Sequence, residues 1–363
     1  MDIKQKMIEY LLKNANPSIV YRVRSEVLED LTAGDTADYQ AQILTDPMIM
    51  HISAMNESRE ILSFKGLNRV IFDKYSSVKY LAEKAVTADT AVMKNAINRL
   101  LPIEIPYVDE SGKARDEFKY PCSEFNASKY ACMARAGFEN ARGFTDFVRH
   151  AVDSFRRVTE VDTVFDIMEQ VGKGVKTRYV FKDYEKWPCR NYLDILAHTS
   201  YWRSAENVKI VADSVREMMR TDDCTLVSYV PGGYSEKVGC HGGIFPAQGL
   251  TVMGSGVYPS PIMCALGKNG RDYNGKYHFE LIEWFARCGV VSSLPKLSEV
   301  VDEIADSIDE IGICRLQNIA EDVFKSYGKF GGQQLEVDWK SRTRRDCDIT
   351  FRALLILHYS GVV

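Results

Sequence analysis

Behind Ser204 the residues Val208, Val211, Val215 and Met218 recur at offsets of 0, 3, 7 and 10, which puts four apolar side chains on one face of an α-helix. Ser204 is suited to cap that helix. The same period returns along most of the chain. Asn16 and Pro17 give a cap residue followed by proline at the first helical position, with Val20, Val23 and Val27 on one face. Asp46 and Pro47 repeat the signal ahead of Ile49 and Ile52. Val92, Ala96, Ile97 and Leu100 make another stripe, ended by Pro102, and Ser123 starts a helix through Tyr130, Ala131 and Ala134 that Gly137 stops. Three more stripes follow: Phe279, Ile282 and Phe285 up to Gly289; Val301, Ile304, Ile308 and Ile311 up to Gly312; and Phe351, Leu354, Leu355 and His358. No strand alternation is sustained enough to build a sheet, and the segment 225–230 predicts no more than a hairpin or an extended loop edge. About a dozen short helices with short connections do not fit one four-helix bundle, so the chain is expected to be all-α, a layered or closed array in which each helix hides one stripe.

Composition bounds the rest. Hydrophobic residues are 45% and charged residues 26% of the 363, enough for one large domain spanning 1–363. Within it, residues 229–275 hold eleven of the 24 glycines and four of the 11 prolines, which predicts a long irregular insertion, either cavity-lining or merely structural. Lys plus Arg number 46 against 50 Asp plus Glu, a net charge of -4 that gives no reason to expect nucleic-acid binding. The nine cysteines are scattered without a CxxC pair, and Met1-Asp2-Ile3-Lys4 does not open a signal peptide, so free thiols in a cytoplasmic protein are expected. No apolar run approaches the roughly eighteen residues of a membrane span. GxSxG, HExxH, GxGxxG and Walker A patterns are missing, which leaves serine hydrolases of that type, zincins, Rossmann enzymes and P-loop NTPases without support.

Several stretches carry a family likeness: Tyr120-Pro-Cys-Ser-Glu-Phe-Asn126, Ala131-Cys-Met-Ala-Arg-Ala-Gly-Phe138, Pro188-Cys-Arg-Asn-Tyr-Leu-Asp-Ile-Leu-Ala-His-Thr-Ser-Tyr-Trp-Arg203, Asp338-Trp339 to Arg344-Arg345, and Thr350-Phe-Arg-Ala-Leu-Leu-Ile-Leu-His358. Together they resemble the bacterial proteins related to prenyltransferase and squalene-cyclase repeats. The resemblance implies an α/α toroid, inner and outer helices around a central, largely apolar cavity. It implies an isoprenoid-cyclase-like or lyase-like protein that binds or transforms a small, mainly apolar ligand; a shared fold does not by itself name a reaction or a cofactor. Class II cyclases protonate an alkene from a DxDD motif, and the nearest match here is Arg220-Thr221-Asp222-Asp223, with arginine where the first aspartate would stand. Cys240-His241-Gly242-Gly243 has only a superficial likeness to the zinc-binding segment of protein prenyltransferases, and no metal is expected; the Gln-Trp repeats of the large cyclases are missing.

The candidate site residues follow from chemistry at plausible spacing. His198 and Trp202 stand four apart, sharing a face if one helix carries both, with Tyr201 adjacent. Aromatic faces at Tyr201 and Trp202 would hold an apolar ligand or a carbocation, and His198 would serve as acid or base; the plainer reading is a core contact. Asp222 and Asp223 would act as a general-acid pair, or simply end a helix. Arg344, Arg345 and Arg352, with Lys340 and Arg342 beside them and a helix starting just after Asp346, would hold an anionic head group; the plainer reading is a solvated patch paired with Asp338, Asp346 and Asp348. Asp302, Glu303 and Asp306 read as a hydrated face, and Cys122 as an inert thiol. A helical-repeat scaffold that binds a protein or peptide is the alternative function.

Overall fold

The computed structural model describes residues 2–54, 62–63, 71–72, 74–101, 124–141, 143–162, 164–171, 178–182, 184–220, 225–228, 250–253, 276–325 and 332–362. The described chain is helical. In order come α1 (Ile3–Asn14), α2 (Pro17–Arg22), which runs into a π-helical stretch (Val23–Leu28), α3 (Ala33–Ile43), α4 (Pro47–Ala54), α5 (Lys74–Glu83), α6 (Ala91–Leu100), α7 (Glu124–Arg135) and α8 (Phe144–Val158). They are followed by α9 (Arg190–Ala197), α10 (Ala205–Arg220), α11 (Phe279–Arg287), α12 (Pro295–Asp306), α13 (Glu321–Lys325) and α14 (Arg342–Tyr359). Strands occur, among the described residues, only as two-stranded ribbons: β1 (Leu62–Ser63) with β2 (Ile71–Phe72), β3 (Met168–Val171) with β4 (Arg178–Phe181), and β5 (Thr225–Ser228) with β6 (Leu250–Met253). The last pair is parallel, so the segment at 225 is not the hairpin that its sequence allowed. Apart from β6, the Gly/Pro-rich stretch 229–275 lies outside the described residues, as do Pro102, Cys122, Ser123 and Cys240 to Gly243.

The expected caps at Asn16, Asp46 and Ser204 are in place. The Asn16 side chain accepts from the Ile19 N–H at 3.1 Å, Asp46 from Met48 at 2.9 Å, and Ser204 from Asn207 at 3.2 Å. Each satisfies an N–H that has no partner within its own helix.

Three helix boundaries differ from the sequence reading, each for a local reason. The α12 stripe runs on in sequence to Ile311, but the helix stops at Asp306. Asp309 takes the N–H groups of Ile311 and Ile313 on its side chain, a local bond that competes with the helix, and Ile311 ends up exposed. Helix α9 stops at Ala197, so His198 is its C-cap and Trp202 lies beyond it, not on a shared face. There the Trp202 indole donates to the carbonyls of Leu196 and Thr199, at 2.9 and 3.0 Å, and closes the helix end. Helix α14 starts at Arg342, not after Asp346, because Ser341 caps it through the Arg344 N–H.

Two kinds of helix result. Helices α1, α6 and α12 bury one stripe: Met7, Ile8 and Leu11; Val92, Met93, Ala96, Ile97 and Leu100; Leu297, Val300, Val301 and Ile304. Helices α9 and α11 are instead buried on every side, as is α14 from Asp346 to Leu357. Helix α5 packs on α7, α7 on α9, α9 on α11 and α11 on α14, while α14 touches α2 and the π-helical stretch. The one-striped helices pack behind these, α6 on α5, α12 and α1 on α14; α8 packs behind α7 and α9 and in turn carries α10, and α3 lies on α2. No helix among the described residues is long and apolar enough to cross a membrane. The described cysteines, Cys132, Cys189, Cys288, Cys314 and Cys347, are buried and form no disulfide.

Candidate functional site

A helix buried on all sides is normally apolar all round, and these are not. Helix α11 carries Glu280, Glu283 and Arg287 among Phe279, Leu281, Ile282, Trp284 and Phe285, and α9 carries Arg190 and Asp194 among Tyr192, Leu193 and Ile195. Charge taken out of water costs several kcal/mol per ion unless it is paired. Here it is paired across helices.

Glu83, at the end of α5, receives three guanidiniums: Arg22 at 3.0 Å, Arg352 at 2.6 Å, and Arg135. Arg135 extends the network to Asp194 at 2.8 Å and Glu280 at 3.3 Å. Glu280 also holds Lys79 at 2.7 Å and Arg190. Arg352 joins Glu283 at 3.1 Å, Glu283 holds Arg287 at 2.8 Å, and Arg287 reaches Glu26 at 2.6 Å. Glu26 returns to Arg22, four residues back, through the π-helical stretch. Such non-α turns are frequent at functional sites. Six cations (Lys79, Arg22, Arg135, Arg190, Arg287, Arg352) thus face five carboxylates (Glu26, Glu83, Asp194, Glu280, Glu283). Aromatic faces complete it, with Arg135 and Arg190 at 5.1 and 5.0 Å from the Trp284 ring and Arg287 at 4.3 Å from Tyr359. Burial alone would raise the carboxyls of Glu83 and Glu280, but the surrounding cations outweigh it and hold both below the ordinary range.

The network surfaces in a pocket of about 560 Å³. Its walls include Arg22, Glu26, Glu83, Arg135 and Arg287, together with Tyr21, Tyr359, Thr87, Thr199 and small apolar side chains such as Ala82, Ala88, Ala134 and Ala197. His198 lines the same pocket. Its Nδ1 is 2.9 Å from the Asp194 carbonyl oxygen and 3.0 Å from Asp194 Oδ1, so Nδ1 carries the proton and Nε2 the lone pair. Burial, then the Arg135 charge, push the imidazole below its ordinary pKa. Arg203 also lines the pocket; it is exposed, stacks against Trp202 at 6.0 Å, and gives a hydrogen bond to the Ala197 carbonyl at 3.2 Å.

Of the residues proposed from sequence, His198 is at the pocket, and Arg352 lies deep in the network, where its partners are carboxylates and the Gln333 carbonyl. Trp202 is buried as the plug of the α9 end, and Tyr201 is half exposed. Arg344 pairs with Asp338 at 2.8 Å and Arg345 with Glu321 at 2.8 Å, on the first turn of α14. Neither is among the residues that line the pocket. Asp222 and Asp223 lie outside the described residues. The surroundings of His198 and Arg352 are ionic, where the resemblance implied an apolar lining. Sequence reasoning missed Arg22, Glu26, Glu83, Arg135, Asp194, Arg203, Glu280, Glu283 and Arg287. For those on α9 and α11 the signal was charge at helical spacing inside otherwise apolar helices, as in Arg190, Asp194 and His198, or Glu280, Glu283 and Arg287.

No protein-family model matches this chain, no curated protein matches it, and no solved structure matches it.

Proposed function

We propose that the chain is an α/α toroid whose pocket binds, and transforms in a cyclase-like or lyase-like manner, a small molecule with one anionic group and a short apolar part. The packing order supports the ring: α5, α7, α9, α11, α14 and α2 follow one another, and the Arg22–Glu83 ion pair joins α2 to α5. One-striped helices stand behind this series, as an outer layer would. The observation that carries the function is the pocket itself, lined by His198, Arg203 and members of the buried ion-pair network. Its volume suits a small ligand. Its mixed lining argues for a head group beside an apolar portion instead of a wholly apolar molecule. A scaffold would need a continuous apolar outer patch, whereas among the described residues the exposed large apolar side chains, such as Ile3, Met50, Tyr184 and Ile311, are scattered along the sequence.

Native mass spectrometry of freshly purified protein tests this reading. A retained small molecule that is lost in Ala88→Trp, a variant that fills the pocket, is the expected result. A bare wild-type protein that also gains no thermal stability from isoprenoid diphosphates or organic acids would refute it.

A further inference from the structure

The reactive group and the ligand class can be narrowed, on the premise that the pocket is the functional site. We propose that His198 and Asp194 form a base pair in which Asp194 positions the imidazole, and that the ligand offers an oxyanion to Arg203 and an acidic O–H or C–H to His198 Nε2. Three geometric facts support it. His198 Nδ1 is committed to Asp194, and among the described residues no group bonds Nε2. Asp194 is itself held through two bonds from Arg135 Nε, at 2.8 and 3.1 Å, so the imidazole is oriented from the buried network. Arg203, unlike Arg22, Arg135 and Arg287, pairs with no carboxylate among the described residues, which leaves it as the pocket's counter-ion.

In the step itself, Nε2 takes the proton: the ligand's O–H or C–H bond breaks, its electron pair stays on that oxygen or carbon, and a new N–H bond forms. The imidazolium is stabilised by the Asp194 carboxylate and returns the proton in the reverse step. The charged groups that act on the imidazole are Asp194 of α9, Arg135 of α7 and Arg287 of α11, and Arg203, Glu26, Glu83 and Glu139 line the same pocket. Burial first, and then the Arg135 charge, disfavour the imidazolium and lower the ring's pKa from its ordinary value.

Diethyl pyrocarbonate, which acylates neutral and accessible imidazole nitrogens, tests the proposal on the full chain without a known activity. Labelling at His198, read by peptide mass spectrometry, should rise with pH through a midpoint below 6.5. Inorganic phosphate or pyrophosphate, in one arm, and acetate or succinate, in the other, should slow it by at least about fivefold in the arm whose chemistry matches the ligand. Arg203→Gln, a change at an exposed position, should lose that protection. In ¹⁵N-histidine spectra the His198 ring of the wild type should be the Nδ1–H tautomer, and Asp194→Asn should mix the tautomers. The wild-type tautomer decides the point even if Asp194→Asn does not fold. An unlabelled His198, an Nε2–H tautomer, no protection by either class of anion, or protection that persists in Arg203→Gln would each overturn the inference. A molecule still retained in native spectra would then leave the pocket reading standing, whereas failure of both would remove the two together.

Discussion

Asp348 is held by dipoles more than by a cation. One of its oxygens accepts the Leu335 N–H at 2.7 Å and the other the Trp339 indole at 2.6 Å, with the Glu336 N–H at 3.2 Å. Burial pushes its carboxyl up to about 6, and pushes that of neighbouring Glu336 up to about 7, where the Asp348 charge adds to the effect. A folded-state value above the unfolded one means stability that is complete below the unfolded pKa and is lost as pH rises through the folded one. For Glu336 the window runs from 4.5 to about 7. Glu336→Gln keeps an acceptor for the Asn16 N–H and removes the charge. It should stabilise the protein by on the order of 3 kcal/mol at about pH 8 and change nothing below about pH 4.5, read by urea unfolding at both values. Glu83 and Glu280 have the opposite sign. Their depressed values give stability that is present above the ordinary carboxylate pKa of 4.5 and lost as pH falls below it, so acid unfolding of the wild type should begin there.

Among the elements, the turn after α12 makes the most demanding fit. Gly312 has φ +86°, and a Cβ there would stand 2.4 Å from the Lys6 carbonyl carbon and 2.6 Å from the Met7 nitrogen of α1. Gly289, after α11, has φ +72° with open space around it. Gly312→Ala should therefore cost at least about 3 kcal/mol and Gly289→Ala about 1 kcal/mol, a difference visible in thermal melts. At the start of α3, Thr32 and Asp35 form a reciprocal capping box, and Thr32→Ala should cost about 1 kcal/mol in the same assay. The stripes and most caps could be read from sequence because they depend on neighbours within a turn or two: Asn16-Pro17, Asp46-Pro47, Val92 to Leu100 and Phe279 to Phe285 all lie where their spacing puts them. The boundaries at Ala197 and Asp306 escaped because side chains outside the stripe, Trp202 and Asp309, bond the backbone. The network escaped for a different reason. Its partners are far apart in sequence, and a charge reads locally as a solvated face until the helix carrying it is known to be buried. Arg352 was singled out for its charge, yet its partners, Glu83 and Glu283, lie 269 and 69 residues away.

For the molecule as a whole, the ion pairs add to apolar packing in tying helices from both ends of the chain together. Coupling across a charge network measures this better than any single truncation, because removing one partner also exposes the cost of the charge left behind. Glu83 of α5 and Arg352 of α14 touch within the network, at 2.6 Å. The deciding measurement is a double-mutant cycle of Glu83→Gln and Arg352→Met by chemical denaturation near neutral pH. The two changes should be coupled by at least about 1.5 kcal/mol, with the double variant more stable than the sum of the single losses allows; additivity within about 0.5 kcal/mol would contradict a shared buried network and the pocket built on it.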